Sequence, residues 1–283
     1  MNLHSLTLLA LISATAAFAQ GPLTPPGAPA PTMKTLEEIH TKVADVGERR
    51  TPISSLPFTI STGGSYYLAA NLQSAGGDGI TITANNVTVD LNGFTLSGIA
   101  AGNGIAISNA ADVRIINGSI RNWATGINNV GGTRTSVEKV RISDCTGIGF
   151  STTAAGYGDV RNCAVSNCGS HGIRLQGGAQ ISGTVLTNNG GSGIRIEAPA
   201  GEVRGNSCAY NNIGVEILFD SVVVDSNTIQ SNSYALRVVN SGNSIRRNTV
   251  HANSNAHIIF AGNDVAPFEA AATSTNPHAN LSY

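Results

Sequence analysis

Five positions, Gly172, Gly193, Gly214, Ala235 and Ala256, recur at intervals of 21 residues. Each opens a short apolar phrase: Gly-Ile-Arg-Leu, Gly-Ile-Arg-Ile, Gly-Val-Glu-Ile, Ala-Leu-Arg-Val and Ala-His-Ile-Ile. A fixed period in this range is the mark of a solenoid, in which each repeat is one coil stacked on the last. Upstream, the same station falls at Gly79, Gly104, Gly126 and Gly149, with intervals of 25, 22, 23 and 23. Within each phrase apolar residues alternate with polar ones, as in Ile173/Leu175 and Ile194/Ile196. That alternation is the signal of a strand with one face in and one out. The glycine before each strand is expected to ease a sharp turn.

A second strand per coil is marked by Val87–Leu91, Val113–Ile115, Val160, Ile181, Val203, Val224 and Ile245. A third is marked by Val165, Val185, Cys208, Ile229 and Val250. Asparagine, with 28 copies in 283 residues, keeps the same period: Asn206, Asn227 and Asn248 in one column, Asn211, Asn232 and Asn253 in another. A repeated asparagine at a tight turn predicts a stacked amide ladder along the rod.

These features together resemble the right-handed parallel β-helix of the pectate-lyase-like superfold and its generic repeats. The residues that carry the resemblance are the Gly-Ile-x-Ile phrase, the asparagine columns and Val87-Thr88-Val89-Asp90-Leu91-Asn92-Gly93. It implies an all-β, single-stranded solenoid of about nine to ten coils over 58–264, with a short N-terminal helix. The segment Gly21-Pro22-Leu23-Thr24-Pro25-Pro26-Gly27-Ala28-Pro29 through Leu36 also looks like the leader of uncharacterised exported bacterial β-helix proteins.

The flanks have a different character. Met1–Ala19 reads as a secretory signal peptide, with an apolar run at Leu6–Ile12 and the small-x-small Ala17-Phe18-Ala19 before Gln20. Cleavage near Ala19 would place the protein in the periplasm, at the cell surface or outside the cell. Residues 20–32 hold five prolines and read as an extended linker. Leu36, Ile39, Val43 and Val46 lie on one face of a short helix over 33–46, within a region 33–57 expected to cap the first coil. The same helix could instead mediate self-association. Residues 265–283 break the period and are expected to cap the far end. No segment is apolar for the roughly 20 residues a transmembrane helix needs.

Charged residues make up 12% of the chain against about 25% in ordinary soluble proteins. With a formal charge of −1 the chain lacks the basic face a nucleic-acid partner requires. Four cysteines form no Cys-x-x-Cys pair. Cys145 and Cys168 occupy one station on neighbouring coils, where equivalent Cα atoms lie about 4.8 Å apart. That spacing permits a disulfide, and equally a column of two buried thiols. Cys163 and Cys208 read as packing residues.

Chemistry is sparse. The outward residues of the first strand form a column, Arg174, Arg195, Glu216 and Arg237. Arg114, Arg161, Ser182, Arg204, Asp225 and Arg246 are read as a second column on the second strand. In the resembled enzymes the outer face of the first strand is the sugar groove, which makes the first column the candidate contact for an acidic saccharide. Arginine suits carboxylates because its planar fork donates two parallel hydrogen bonds. Both columns also contain an acid between two arginines, which charge matching between coils explains without a ligand. His171, in a turn before a strand, reads as an exposed loop histidine, with a general-base role as the lesser alternative.

The resembled lyases and hydrolases need clustered acids, and no Asn-Thr-Asp, Asp-Asp, Gly-His-Gly or Asp-Pro-His phrase occurs here. No metal-ligand spacing and no cofactor motif is present. The sequence therefore points to an exported binding or structural rod, with an acidic polysaccharide as the candidate partner. The alternatives are a divergent lyase or epimerase acting on polyuronates, or a self-associating adhesive rod.

Overall fold

A computed structural model describes residues 34–39, 49–153 and 157–282. The expected signal peptide, the linker and most of the helix over 33–46 lie outside the described residues. The chain divides into two units, Met1–Arg49 and Arg50–Tyr283. In the first, residues 36–39 form a helical turn opened by a reciprocal cap. The Glu38 N–H donates to Thr35 Oγ1 at 3.1 Å, and the Thr35 N–H donates to Glu38 Oε2 at 2.8 Å.

The second unit is a parallel β-helix. One face is a ten-stranded all-parallel sheet running from Phe58–Ile60 to Asn255–Ile259. The other two faces form a single twenty-stranded sheet. They are joined because Val113–Arg121 and Thr135–Ser143, nine residues each, run continuously from the second face into the third. The second face begins before the expected start at Phe58, with Thr51–Ile53 pairing to Gly64–Leu68.

Burial follows the register. Ile80, Ile105, Ile127, Phe150, Ile173, Ile194, Val215 and Leu236 succeed one another across the first face, and all are fully buried. Each such side chain contributes roughly 1.5–3 kcal/mol by leaving water. On the third face the buried column runs Val165, Leu186, Cys208, Ile229 and Val250. Val185, expected in that column, points outward and is 46% exposed, one residue out of register.

The corners are turned by residues in the left-handed region. Asn162 (φ 53°), Gly183 (59°), Gly205 (64°), Ser226 (57°) and Arg247 (56°) occupy one corner of successive coils. The glycines that open the first strand serve another purpose, correcting the expectation of an eased turn. A Cβ on Gly172 would lie 2.7 Å from Gly193 O and 2.9 Å from Asn189 Nδ2. These glycines admit the next coil and its ladder amide.

Both asparagine columns form the predicted ladders. Asn206 Nδ2 donates to Asn227 Oδ1 at 3.0 Å, and Asn227 Nδ2 donates to Asn248 Oδ1 at 2.9 Å. Asn211 and Asn232 repeat the pattern toward Asn253. The ladders reach further than the period showed. Asn189 joins the second, and Asn280, from the aperiodic tail, accepts from Asn248 Nδ2 at 3.0 Å. Cys145 and Cys168 continue the Asn189 column as free, buried thiols, which donate to Ser143 O at 3.7 Å and Ser166 O at 3.6 Å. No helix among the described residues is long and apolar enough to cross a membrane.

Candidate functional site

Parallel pairing sets Arg174, Arg195, Glu216 and Arg237 side by side on successive strands of the first face. Alternation aims all four away from the core. Their environments differ sharply. The Glu216 side chain is 1% exposed, whereas those of Arg174, Arg195 and Arg237 are 33%, 26% and 42% exposed. Glu216 is therefore a buried hub. Its Oε2 accepts from Ser192 Oγ at 2.6 Å and from Arg195 Nη1 at 3.0 Å, and its Oε1 accepts from Arg237 Nη1 at 2.5 Å.

Sequence reasoning missed a second hub, Glu197. It accepts from Arg174 Nε and Nη2 at 3.1 and 2.8 Å, from Gln176 Nε2 at 2.6 Å and from Arg195 Nε. The signal that could have found it is parity: Glu197 lies two residues past Arg195, on the same side of the strand. Arg195 thus ties two carboxylates together, and Arg174 and Arg237 flank them.

The electrostatics are one-sided. Burial pushes the Glu197 carboxyl up, but hydrogen bonds from Arg174, Gln176 and Arg195 outweigh it and bring the pKa down to about 2. Burial also raises Glu216, and the Ser192 hydroxyl with Arg195 and Arg237 again holds it below the ordinary range. Both acids are ionised at neutral pH. Three guanidiniums against two carboxylates leave the cluster with a net charge of +1.

His171 is half-buried beside this cluster, which corrects its reading as an exposed loop residue. Its Nδ1 accepts from the Ser192 N–H at 2.9 Å, so the neutral ring carries its proton on Nε2. Burial, reinforced by Arg195, lowers its pKa. In that tautomer neither nitrogen offers a free lone pair to act as a base.

The second column is revised. Arg114 is in register with Ser136 and Asp159, not with Arg161. Arg161, Ser182, Arg204, Asp225 and Arg246 do share one row. Asp225, fully buried, takes Arg204 Nη1 at 3.0 Å and Arg247 Nε at 2.7 Å, whereas Arg246 Nε is 3.9 Å away. The left-handed corner at Arg247 turns that side chain, rather than its neighbour's, onto the acid.

A family model described as the right handed beta helix region matches residues 69–181 and 153–279. Among solved structures, the Dettilon tailspike protein aligns with a TM-score of 0.52 at 14% identity, covering 82% of this chain. The chain spans 60% of the length of that tailspike protein. An alginate lyase from Paenibacillus sp. str. FPU-7 aligns with a TM-score of 0.43 at 15% identity, over 80% of this chain and 97% of its own. The A-module of a mannuronan C-5 epimerase from Azotobacter vinelandii gives 0.43 at 14% identity, over 71% and 88%. No curated protein matches.

Proposed function

Because the chain belongs to the right-handed β-helix family, we propose that its first face is a recognition surface for a carboxylated polysaccharide, held by Arg174, Arg195 and Arg237. The observation that carries this reading is the disposition of those arginines. Each is braced by the part-buried Glu197 or the buried Glu216, and each keeps at least one guanidinium nitrogen uncommitted among the described residues. Arg174 uses Nε and Nη2 inward and Arg195 uses Nε and Nη1, while Arg237 commits only Nη1 among the described residues. A braced guanidinium loses less side-chain freedom when it meets a second carboxylate, so more of the fork's binding energy is realised. A net positive cluster favours an anionic chain over an uncharged one.

The same geometry supports binding over hydrolysis. A glycosidase pair needs one carboxyl held protonated to act as an acid. Here both carboxyls are held ionised and saturated with donors. Titration calorimetry with pectate and alginate, against the same polymers with their carboxyls reduced, tests the reading. We expect binding only to the carboxylated forms, weakening as salt rises. Arg237→Lys keeps the charge but not the fork, and is expected to weaken binding roughly tenfold, as for loss of one charge-assisted hydrogen bond. No binding to either polyuronate overturns the proposal. New ultraviolet absorbance from unsaturated products would replace it with a lyase.

A further inference from the structure

The second face, across the core from the arginine row, carries a depression of about 260 Å³ lined by Arg161, Gln180, Ser182, Glu202 and Arg204. Its floor exists because Ser182 is the short residue between Arg161 and Arg204 in the stack. Tyr157 lies beside it. A Cβ on Gly178 would meet Tyr157 Cδ2 at 2.9 Å, so the ring packs over that glycine on the next coil. Tyr157 remains 37% exposed, a large aromatic left in contact with water.

The charges in this depression cancel within each strand. Asp159 pairs with Arg161 at 2.8 Å, and Glu202 takes Arg204 Nε at 2.8 Å. Unlike the first face, the site has no surplus charge. It does have unused polar groups. Among the described residues Gln180 Nε2, the Ser182 hydroxyl and Glu202 Oε2 make no hydrogen bond, although Gln180 Oε1 accepts from Arg161 at 3.4 Å. Burial, with Asp159 nearby, raises the Tyr157 phenol above its usual pKa, so its hydroxyl stays a donor.

An exposed aromatic beside the depression, a shallow floor, uncommitted donors and acceptors and a balanced charge are the complement of a sugar ring, which has an apolar face and a hydroxylated rim. We propose that this depression binds one uncharged pyranose residue, stacked on Tyr157 and hydrogen-bonded by Gln180, Ser182 and Glu202. The rod would then hold glycan on two faces, one selecting carboxylates and the other not.

Saturation-transfer NMR with uncharged oligosaccharides of glucose, galactose, mannose and N-acetylglucosamine tests this site. At least one should bind the full chain saturably. Tyr157→Ala and Ser182→Tyr, each checked for an unchanged circular dichroism spectrum, should weaken that sugar tenfold or more. Tyr157→Phe, which keeps the stacking surface, should weaken it no more than threefold. Arg237→Lys should leave it unchanged, so failure here is distinguishable from failure of the polyuronate site. The proposal is overturned if none of these sugars binds, or if Tyr157→Ala binds as the parent does.

Discussion

Arg195 holds Glu197 and Glu216 at once, so the protonation of either acid loosens a shared guanidinium. The Glu197 pKa falls from 4.5 to about 2 in the folded chain. A carboxyl depressed in this way stabilises the fold fully above its unfolded pKa. That stability is lost as pH drops through the window from about 4.5 to about 2. Urea midpoints measured between pH 5 and pH 3 should therefore decline, and Glu197→Gln should flatten the decline. An identical slope in the variant would remove the assignment. His171 shifts the other way relative to its charge. Its neutral form is favoured in the fold, so its share of stability is lost as pH falls below the unfolded value of 6.5. Nitrogen-15 NMR is expected to show the Nε2–H tautomer at pH 7 and a midpoint below 6.5. A proton on Nδ1 would contradict the bond from Ser192.

At the scale of the strand and turn, the ladders supply what short parallel strands lack. Asn206 accepts the Thr184 N–H at 3.0 Å and donates to Ile181 O at 2.9 Å, away from water. Asn206→Ala would orphan both backbone groups. The expected cost is about 3 kcal/mol, a fall in Tm on the order of 6–12 °C by calorimetry. A change under 2 °C would mean that water or a shifted turn replaces the amide. Gly193→Ala should also destabilise, because its Cβ would lie 2.8 Å from Gly214 O and 3.0 Å from Asn211 Nδ2. The sequence made these elements legible wherever the period was strict. Ile173, Ile194 and Val215 are neighbours in the sheet as expected. It misled where two adjacent residues are both apolar. Val185-Leu186 offered two inward readings, and only the pleat decides between them. Arg114 was misplaced because the wider spacing of the early coils hides a shift of two residues. Glu197 and Arg247 were missed for different reasons: Glu197 continues the outward parity of Arg195 but lies just past the strand and the repeated phrase that marks it, and Arg247 sits at a left-handed corner, where the period of two no longer predicts direction.

For the solenoid as a whole, each coil is stabilised only by its neighbours, so the ends decide solubility. At the C-terminal end the second and third faces are continued by tail strands. Asp264–Val265 pairs with Ser244–Arg246, and Asn280–Ser282 pairs with Thr249–His251. Asn280 completes the ladder, donating to Ile245 O at 3.2 Å and Ala266 O at 2.7 Å. Phe268 stacks on His257 at 4.1 Å, where the buried aliphatic column of the first face ends. Nothing in the 21-residue period announces that Asn280 belongs to a column whose previous member is 32 residues earlier; tertiary packing, not repetition, places it there. Removing residues 267–283 would uncover the edge of Thr249–His251 and leave the buried Asn248 N–H without its acceptor, Asn280 Oδ1, beside an already exposed Ile258 and Phe260. An open parallel edge next to apolar surface pairs with other chains. The truncated chain is therefore expected to melt at lower temperature and to form soluble oligomers or aggregates by light scattering, while Asn280→Ala should lower the melting temperature without causing association. A truncated chain that stays monodisperse at the parent's melting temperature would show that the rod's end is closed by the coils themselves.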